Sequence, residues 1–315
     1  MGASLVKTEV LLAAYHGAEW LPEQLASLRG QTASDFTVLM QDDGSEDGTA
    51  ELLRQAADQD ARFRLGQEQG QHLGAAGNFL SMIRQSEADA VLLCDQDDIW
   101  ERDKIARLRA ALEKAEEQYG RETPLLIHSD CAVVDENGAP VYASFFRHQG
   151  WDPRATQLRR LLVQNNVTGC TLIMNRPLKA LIVRYGKAKD LFMHDWFIAL
   201  TAASFGKVLF LNAPLTRYRQ HGENAIGASR AGQVYRGLSA LNRRERARKR
   251  IQLTYTHAMV FRKLCGNDLP QEAEKTIQAY LDTRSLPKLR RVCAVQRMGY
   301  TMQSPLTRAG QIFFG

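Results

Sequence analysis

Three carboxylates follow a short apolar run in the first third of the chain. The run Val91–Cys94 has the length of a buried strand, and Asp95, Asp97 and Asp98 come directly after it. Acidic groups spaced this closely repel one another, so a compensating positive charge is expected nearby. Carboxylate oxygens are ligands that Mg²⁺ and Mn²⁺ favour, and the pattern predicts a divalent cation at this strand end. The alternative is a solvated acidic turn that caps a helix starting near Trp100.

A second acidic stretch follows an earlier strand. The run Phe36–Met40 predicts a strand, and the sequence QDDGSEDGT comes directly after it. Because the carboxyl ends of parallel strands lie at the same edge of a sheet, Asp43 and Asp95 are expected to face one cleft. The residues of this loop also favour a turn with a helix N-cap, and one loop can serve both purposes.

The elements that must position these residues alternate between strand and helix up to about residue 120. Thr8–Ala14 predicts the first strand, and Leu21, Leu25 and Leu28 fall on one face of the helix that follows. Phe63–Gly66 predicts a weak third strand, and the alternation is typical of a parallel α/β sheet. The patterns G-x-G-x-x-G and G-x-x-x-x-G-K-[ST] are absent, which argues against a dinucleotide dehydrogenase and a P-loop NTPase.

Beyond residue 120 the pattern indicates a more antiparallel half. Strands are predicted at Pro124–His128, Cys131–Val134, Gly169–Asn175, Lys207–Leu211 and Leu215–Tyr218. Helices are predicted at Gln157–Val163, Pro177–Tyr185 and Met193–Ser204. Nearer the C-terminus, Pro270 and Pro287 mark two further helix starts.

Charge is distributed unevenly along the 315 residues. Ser229–Gly315 carries 17 basic and 5 acidic residues, a net charge of +12, whereas residues 1–228 carry 24 and 30, a net charge of −6. The basic part is densest at Arg243–Arg250 and predicts contact with nucleic acid, anionic lipid or another subunit, unless it is a solvated helical face. No aromatic residue interrupts this run and no nucleic-acid motif occurs, so we expect no nucleic-acid partner.

The cysteines and the apolar segments indicate the compartment. The five cysteines include no C-x-x-C pair, which is typical of reduced structural thiols in a cytoplasmic protein. No apolar segment approaches the length of a signal anchor or a membrane span. We therefore expect a cytoplasmic protein whose basic C-terminal region brings it to the inner face of the plasma membrane.

Five motifs, in order along the chain, resemble a known family. They are AAYHG at 13–17, QDDGSEDGT at 41–49, CDQDDIW at 94–100, HDW at 194–196 and YRQHGEN at 218–224. Together they resemble the inverting nucleotide-sugar transferases of glycosyltransferase family 2, and more closely the bacterial rhamnosyltransferases that assemble rhamnan and O-antigen polysaccharides. The resemblance covers roughly residues 5–228.

This resemblance implies an α/β protein with the GT-A fold. A catalytic domain over residues 1–228 would combine a Rossmann-like nucleotide-sugar half, at about 1–120, with an acceptor half, at about 121–228, around a mixed central sheet. Residues 229–315 would form a basic helical appendage.

The resemblance also implies roles on the donor side. Tyr15 would line the nucleobase, Asp43 would accept the imide N–H of the base, and Asp95 would lie near the ribose. Asp97 would bind Mg²⁺ or Mn²⁺, and His221 would be a further metal ligand or a diphosphate contact. Asp98 would have a supporting role. The implied donor-binding residues are Ala13, Tyr15, Asp43 and Asp95, and the implied metal ligands are Asp97 and His221.

On the acceptor side, Asp195 matches the catalytic base of the family. It would take the proton of the acceptor hydroxyl as that oxygen attacks the anomeric carbon, and one displacement would invert this centre. Read alone, Asp195 would instead be the N-cap of an apolar helix. Arg219 would pair with phosphate oxygens unless it is a surface arginine. The implied substrate and acceptor contacts are His194, Trp196, Trp100, Asp130 and Arg219.

The implied reaction moves L-rhamnose from dTDP-rhamnose to a saccharide or an undecaprenyl-diphosphate-linked glycan during bacterial cell-surface polysaccharide synthesis. The alternatives are another donor, such as a UDP-hexose, and a non-catalytic glycan-binding or assembly protein of the same fold. Asp95, Asp97 and Asp195 argue against a non-catalytic protein. The basic C-terminal helices would contact the membrane or form a homodimer. Donor specificity depends on pocket shape, which no motif reports.

Overall fold

The structure is a computed structural model and describes residues 6–191, 193–221 and 240–314. Its strands are β1 Thr8–Ala14, β2 Phe36–Asp42, β3 Phe63–Leu65, β4 Ala90–Asp95, β5 Ile99–Trp100, β6 Leu125–Val134, β7 Pro140–Tyr142, β8 Leu172–Asn175 and β9 Lys207–Arg219. Its α-helices are α1 Leu21–Arg29, α2 Thr49–Gln59, α3 Gly74–Gln85, α4 Lys104–Tyr119, α5 Phe145–Gln149, α6 Leu158–Leu161, α7 Arg176–Tyr185, α8 His194–Phe205, α9 Ala240–Cys265, α10 Gln271–Asp282, α11 Lys288–Met298 and α12 Pro305–Phe314.

The strands form one mixed sheet in the order β3-β2-β1-β4-β8-β6-β9-β5, with β7 beside β6. The first four strands in chain order run parallel, and β4, β1 and β2 end side by side. β8 is antiparallel to both β4 and β6, and β5 is antiparallel to β9. The expected parallel first half and mixed central sheet are therefore confirmed, and the second half is more antiparallel as predicted, except that β6 and β9 pair in parallel.

The predicted strands of the second half are longer or shorter than expected. Pro124–His128 and Cys131–Val134 merge into β6, which continues through a register shift beside Asp130. The two strands predicted between 207 and 218 likewise form the single strand β9, and Gly169–Thr171 is a 3₁₀ turn that precedes β8. The helix expected near Trp100 begins instead at Lys104, because Ile99 and Trp100 pair with β9.

Helices cover both faces of the sheet. Alternate residues of β1 point to opposite faces, as the strand period of two requires: Val10 and Leu12 pack on one side, Leu11 and Ala13 on the other. The first side is covered by α1, α2 and α4, and the second by α3, α7 and α8. Both sides are buried, which explains why β1 is apolar along most of its length.

The C-terminal helices share the core of the second side. Tyr255, Phe261 and Ile277 belong to the same buried cluster as Phe197 of α8. Pro270 and Pro287 precede α10 and α11, which confirms the predicted helix starts. The expected domain boundary at 228/229 lies outside the described residues. Within the described ranges, no helix combines the length and the apolar character that a bilayer span requires.

Candidate active site

A cleft of about 730 Å³ opens where β1, β2 and β4 end. Such a position, at the carboxyl ends of parallel strands, is where open α/β sheets bind ligands. The structure brings residues from distant parts of the sequence together here. The predicted site residues that line the cleft are Ala13, Tyr15, Asp43, Asp95, Asp97, His194, Asp195, Trp196 and His221.

The loop after β1 is fastened to the loop after β2. The backbone N–H of His16 donates to Ser45 Oγ at 2.8 Å, and that of Gly17 donates to Thr49 Oγ1 at 2.9 Å. Ala18 N–H donates to a carboxylate in the loop after β2. Short polar side chains thus satisfy backbone groups that no strand pairs, and the two loops form one edge of the cleft.

A side-chain amide joins this edge to the acidic stretch. Gln96 Nε2 donates to Tyr15 O at 2.8 Å, and Tyr15 N–H donates to Gln96 Oε1 at 2.9 Å. A Cβ at Gly17 would lie 2.4 Å from Gln96 Cγ, so this close approach requires glycine. The Tyr15 ring is 43% exposed at the rim, with its centroid 5.1 Å from that of His72. Both rings line the cleft and offer faces to a planar ligand.

Asp43 connects the loop after β2 to the start of α3. Its carboxylate accepts from Leu73 N–H at 2.5 Å and from Gly74 N–H at 2.7 Å. These backbone donors belong to the first turn of α3, so the carboxylate caps the start of this helix. Each carboxylate oxygen has more than one acceptor site, so Asp43 can hold this helix and still accept from a ligand in the cleft.

The acidic stretch after β4 concentrates negative charge at the cleft floor. Burial raises the pKa of Asp95 well above its usual range, and repulsion from Asp97, Asp98 and Asp195 raises it further. Asp97 Oδ2 lies 2.8 Å from His221 Nε2, and the His221 ring stacks on Trp20 with 3.9 Å between centroids. The acidic loop and the chain after β9 therefore meet at one carboxylate–imidazole contact.

This donor set suits a divalent cation. Carboxylate oxygens of Asp95 and Asp97 and the imidazole of His221 are ligands that Mn²⁺ accepts, and Mg²⁺ favours the oxygens. Three further carboxylates repel Asp95 in addition to its burial, and a bound cation would reduce this repulsion. Asp95, Asp98 and Cys170 also place ligand atoms within 4.8 Å of one another. Burial raises the pKa of the Cys170 thiol well above its usual range, so it is a poor ligand for these hard cations.

Asp195 is the second residue of α8, and its environment disfavours its charged form. Burial raises the pKa of Asp195 to about 7. Hydrogen bonds from the N–H groups of Trp196 and Gly169 and from the side chain of Asn165 lower this pKa, but by less than burial raises it. Trp196 N–H donates to Asp195 Oδ1 at 2.6 Å. The helix N-cap is Met193, so Asp195 does not occupy the cap position. A carboxylate with a pKa near neutrality is suited to accept a proton.

His194 lies beside this carboxylate as a neutral imidazole. Burial lowers its pKa to about 4, and its ring packs on Phe79 with 4.3 Å between centroids. Both ring nitrogens are buried without a hydrogen-bond partner among the described residues. A Cβ at Gly169 would lie 3.0 Å from His194 Nε2, so the glycine permits the close packing of these two segments.

Two predicted acceptor contacts, Trp100 and Asp130, are not among the described residues that line the cleft. Trp100 is buried, and Lys104 Nζ lies 3.4 Å from the centroid of its ring. Asp130 is also buried, and it accepts from Ser144 Oγ at 2.5 Å and from Cys131 N–H at 2.8 Å. Their roles as substrate contacts stay predictions.

Arg219 is likewise absent from the lining that the described residues form, and it is 2% exposed. Its guanidinium donates to Asp97 O at 2.8 Å, to Glu136 O at 2.7 Å and to Glu23 Oε2 at 2.5 Å. Its backbone N–H donates to Asp98 Oδ1 at 3.3 Å. These contacts place Arg219 behind the acidic loop, and its predicted pairing with phosphate stays untested. Gly222, Glu223 and Asn224 of the last motif lie outside the described residues.

The cleft also contains residues that sequence reasoning did not single out. Gln96 lies in the motif CDQDDIW, between Asp95 and Asp97. Its position in this motif could therefore have indicated that it lines the cleft. Trp20 and His72 follow polar loops with no distinctive pattern. Arg250 and Leu253 come from α9, and nothing local in the sequence indicates that this helix reaches the cleft.

Comparison with known proteins identifies the family. Residues 9–181 match the profile of Glycosyl transferase family 2. The chain belongs to this family. It is 24% identical over 228 residues to the dTDP-rhamnosyl transferase RfbG of Shigella flexneri, an alignment that covers 69% of this chain and 74% of that protein.

Solved structures show the same fold. TarS from S. aureus aligns with a TM-score of 0.56 at 17% identity, over 97% of this chain and 53% of TarS, so the chain spans about half the length of that protein. The mannosyltransferase PcManGT from Pyrobaculum calidifontis, solved with GDP-Man and Mn²⁺, aligns with a TM-score of 0.53 at 17% identity, over 93% of this chain and 73% of the other. The expected GT-A fold with C-terminal helices is confirmed, and the chain is a family 2 glycosyltransferase.

Proposed function

We propose that this glycosyltransferase is an inverting, divalent-cation-dependent enzyme that moves L-rhamnose from dTDP-rhamnose to a saccharide or a lipid-diphosphate-linked glycan in bacterial cell-surface polysaccharide synthesis. The observation that carries the inverting mechanism is the position of Asp195, whose pKa is about 7, in the same cleft as Asp95 and Asp97. A base poised near neutral pH and a set of metal-binding carboxylates are the two parts that a single displacement needs.

In the proposed step, the acceptor hydroxyl oxygen attacks the anomeric carbon of the donor sugar. The hydroxyl proton passes to an Asp195 carboxylate oxygen as the new C–O bond forms. The bond between the anomeric carbon and the diphosphate oxygen breaks, and its electron pair leaves with the nucleoside diphosphate. Attack and departure on opposite faces invert the anomeric centre.

The donor would lie with its base toward Tyr15 and Asp43 and its diphosphate toward Asp97 and His221. A cation bound by Asp97 would stabilise the charge on the departing diphosphate. Asp43 would accept the imide N–H of thymine or uracil, because an ionised carboxylate accepts and cannot donate. Cation dependence is supported by the donor set of this chain and by the Mn²⁺ in the PcManGT complex.

The choice of rhamnose rests on similarity to RfbG, at 24% identity, and a UDP-hexose donor is the competing choice. Incubation of the chain with dTDP-rhamnose, UDP-glucose, UDP-N-acetylglucosamine and GDP-mannose, each with Mn²⁺ or Mg²⁺, measures release of the nucleoside diphosphate. We expect fastest release from dTDP-rhamnose. Fastest release from a UDP-sugar would exclude the rhamnose assignment, and no release or binding of any donor would exclude an active enzyme.

The proposal includes contact between the basic face of α9 and an anionic membrane surface or a second copy of the chain. Arg244, Arg246, Arg248 and Lys249 are exposed on this helix. Basic residues near anionic lipid contribute about 1 kcal/mol each, and the attraction weakens as salt rises. Co-sedimentation with phosphatidylglycerol vesicles at low and high salt tests the membrane contact, and light scattering tests the second copy. A protein that stays monomeric and does not bind vesicles at low salt would exclude both the membrane contact and the second copy.

A further inference from the structure

Three aromatic side chains from the second half of the chain form a wall that lines the same cleft. We define this wall as Phe145, Trp151 and Tyr218, all of which line the cleft. The Phe145 ring meets Trp151 edge to face with 5.7 Å between centroids, and meets Tyr218 in the same way at 6.4 Å. None of these side chains belongs to the motifs from which the donor site is built, apart from Tyr218 in the last one.

The wall is held by the hydrogen bonds of the surrounding backbone. Ser144 caps α5 by accepting from Arg147 N–H at 3.1 Å, and its hydroxyl donates to the buried carboxylate of Asp130. Trp151 N–H donates to Phe146 O at 3.0 Å, which fixes the chain after α5. Asp130 therefore acts from behind the wall, which gives a structural reason for a buried carboxylate outside the cleft.

Amide groups lie in the same part of the cleft. Gln164 and Asn165 line it beside the catalytic carboxylate, and Gln164 is 3% exposed. Gln164 Oε1 accepts from Gln303 N–H at 3.0 Å, which identifies Nε2 as the donor end of the amide. This Nε2 is buried and has no acceptor among the residues that the structure describes. Asn165 is half-buried in the cleft lining and is the amide that a ligand oxygen can approach.

The combination of flat aromatic faces and amides matches the surface chemistry of a pyranose. Such a ring has a C–H face that packs on the negative face of an aromatic ring, and hydroxyl groups at its edge that pair with amides. A lipid chain would need neither the amides nor the aromatic faces. Trp196, which follows Asp195 in the sequence, also lines the cleft, and its indole N–H donates to Leu161 O at 2.6 Å.

We propose that the aromatic wall is the acceptor subsite and that it stacks on a pyranose ring of a saccharide acceptor, holding one hydroxyl of that ring toward Asp195. This inference rests on the proposed transferase function, and it names the acceptor as a glycan recognised through its sugar ring. Trp151 and Phe145 are then specificity-determining residues for the acceptor, separate from the donor contacts at Tyr15 and Asp43.

Saturation-transfer NMR of the full chain with Mn²⁺ replaced by Mg²⁺ tests the subsite directly. The probes are methyl α-L-rhamnoside, methyl β-D-glucoside and methyl N-acetyl-β-D-glucosaminide, with dTDP and UDP as donor-side probes. Selective irradiation of aromatic protein protons in the wild-type chain should saturate the ring C–H protons of at least one sugar. This measurement needs no variant to fold.

Variants then assign the effect to the wall. Trp151→Ala should weaken binding of that sugar about tenfold, whereas Trp151→Phe should retain most of it, since an aromatic face remains. Tyr142→Ala is the matched control, because Tyr142 is 40% exposed and stacks on His148 outside the cleft lining. Nucleotide binding should be equal in all three variants.

The outcomes separate the subsite from the proposed function. If no sugar receives saturation in the wild-type chain, or if Trp151→Ala binds it as well as Tyr142→Ala does, the acceptor subsite is refuted while nucleotide binding still supports a transferase. If the sugars bind through Trp151 but no nucleotide binds and no donor is cleaved, the proposed reaction fails and the wall remains a sugar-binding surface.

Discussion

Replacing Asp195 by Asn should move activity and stability in opposite directions. The variant retains the shape of the side chain and one acceptor oxygen for Trp196 N–H, but it can no longer take a proton. Loss of a positioned general base lowers the rate of transfer by about 10²–10⁴. Binding of the nucleotide should change little, because the proposed contacts with the base, Tyr15 and Asp43, belong to the loops after β1 and β2, whereas Asp195 belongs to α8.

The stability change follows from the pKa of Asp195. Burial raises this pKa from 3.8 to about 7. Between pH 3.8 and pH 7, the folded protein therefore keeps a proton on Asp195 that the unfolded chain has lost. The stabilisation is therefore complete below about pH 4 and is lost as the pH rises through 7. One pKa unit corresponds to about 1.4 kcal/mol, so the ionised carboxylate costs up to about 4 kcal/mol at pH 8. Asn does not carry this cost, because its side chain is uncharged at both pH values.

Urea denaturation of the wild type and of Asp195→Asn at pH 5 and pH 8 measures the difference in free energy of unfolding. We expect the advantage of the variant to be larger at pH 8. Asp190→Asn is the control, since Asp190 is an exposed carboxylate close by in the sequence. A variant that is equally destabilised at both pH values and transfers sugar within about tenfold of the wild type would show that Asp195 is a structural residue.

Three further changes test other parts of the site. Asp97→Asn should abolish cation-dependent turnover with little change in melting temperature, and activity of this variant that persists in EDTA would exclude Asp97 as a ligand. Arg219→Met should destabilise the protein by about 1–3 kcal/mol in urea denaturation, because the carbonyls of Asp97 and Glu136 lose their guanidinium donor while the half-exposed Glu23 can be solvated, whereas the exposed Arg217→Met should change stability by less than about 1 kcal/mol. A chain ending at Ala228 should aggregate, because α9 and α10 no longer cover the core; a monomeric, folded fragment in light scattering and circular dichroism would contradict this.

The parts of the site that follow strands could be predicted from sequence. Strand β1 was predicted with its observed bounds, and parallel strands must end at a common edge, so Asp43 and Asp95 were expected to share a cleft. Asp195 joined them through the family resemblance, since helix periodicity alone indicates only a helix start. The sequence contained these relations because strand direction and pairing are regular.

Contacts made by pairing between distant segments could not be predicted in this way. A two-residue strand such as Ile99–Trp100 has no periodicity, and its pairing with β9 moved the start of α4 to Lys104. The same pairing brings Arg219 behind the acidic loop, where a surface arginine or a phosphate contact was expected. The approach of Arg250 to the cleft depends on how α9 packs on α8, which no local pattern encodes.

Two buried cations, Lys104 and Arg219, lie next to the acidic loop and help it to fold. Lys104 Nζ donates to Cys170 O at 2.6 Å and to Thr216 Oγ1 at 2.8 Å, and Arg219 donates to the backbone carbonyl of Asp97. The charge of Lys104 lowers the pKa of Asp95 against the larger effect of burial. The two cations therefore reduce the repulsion among these carboxylates, and Asp95 and Asp97 line the cleft in which a divalent cation would bind.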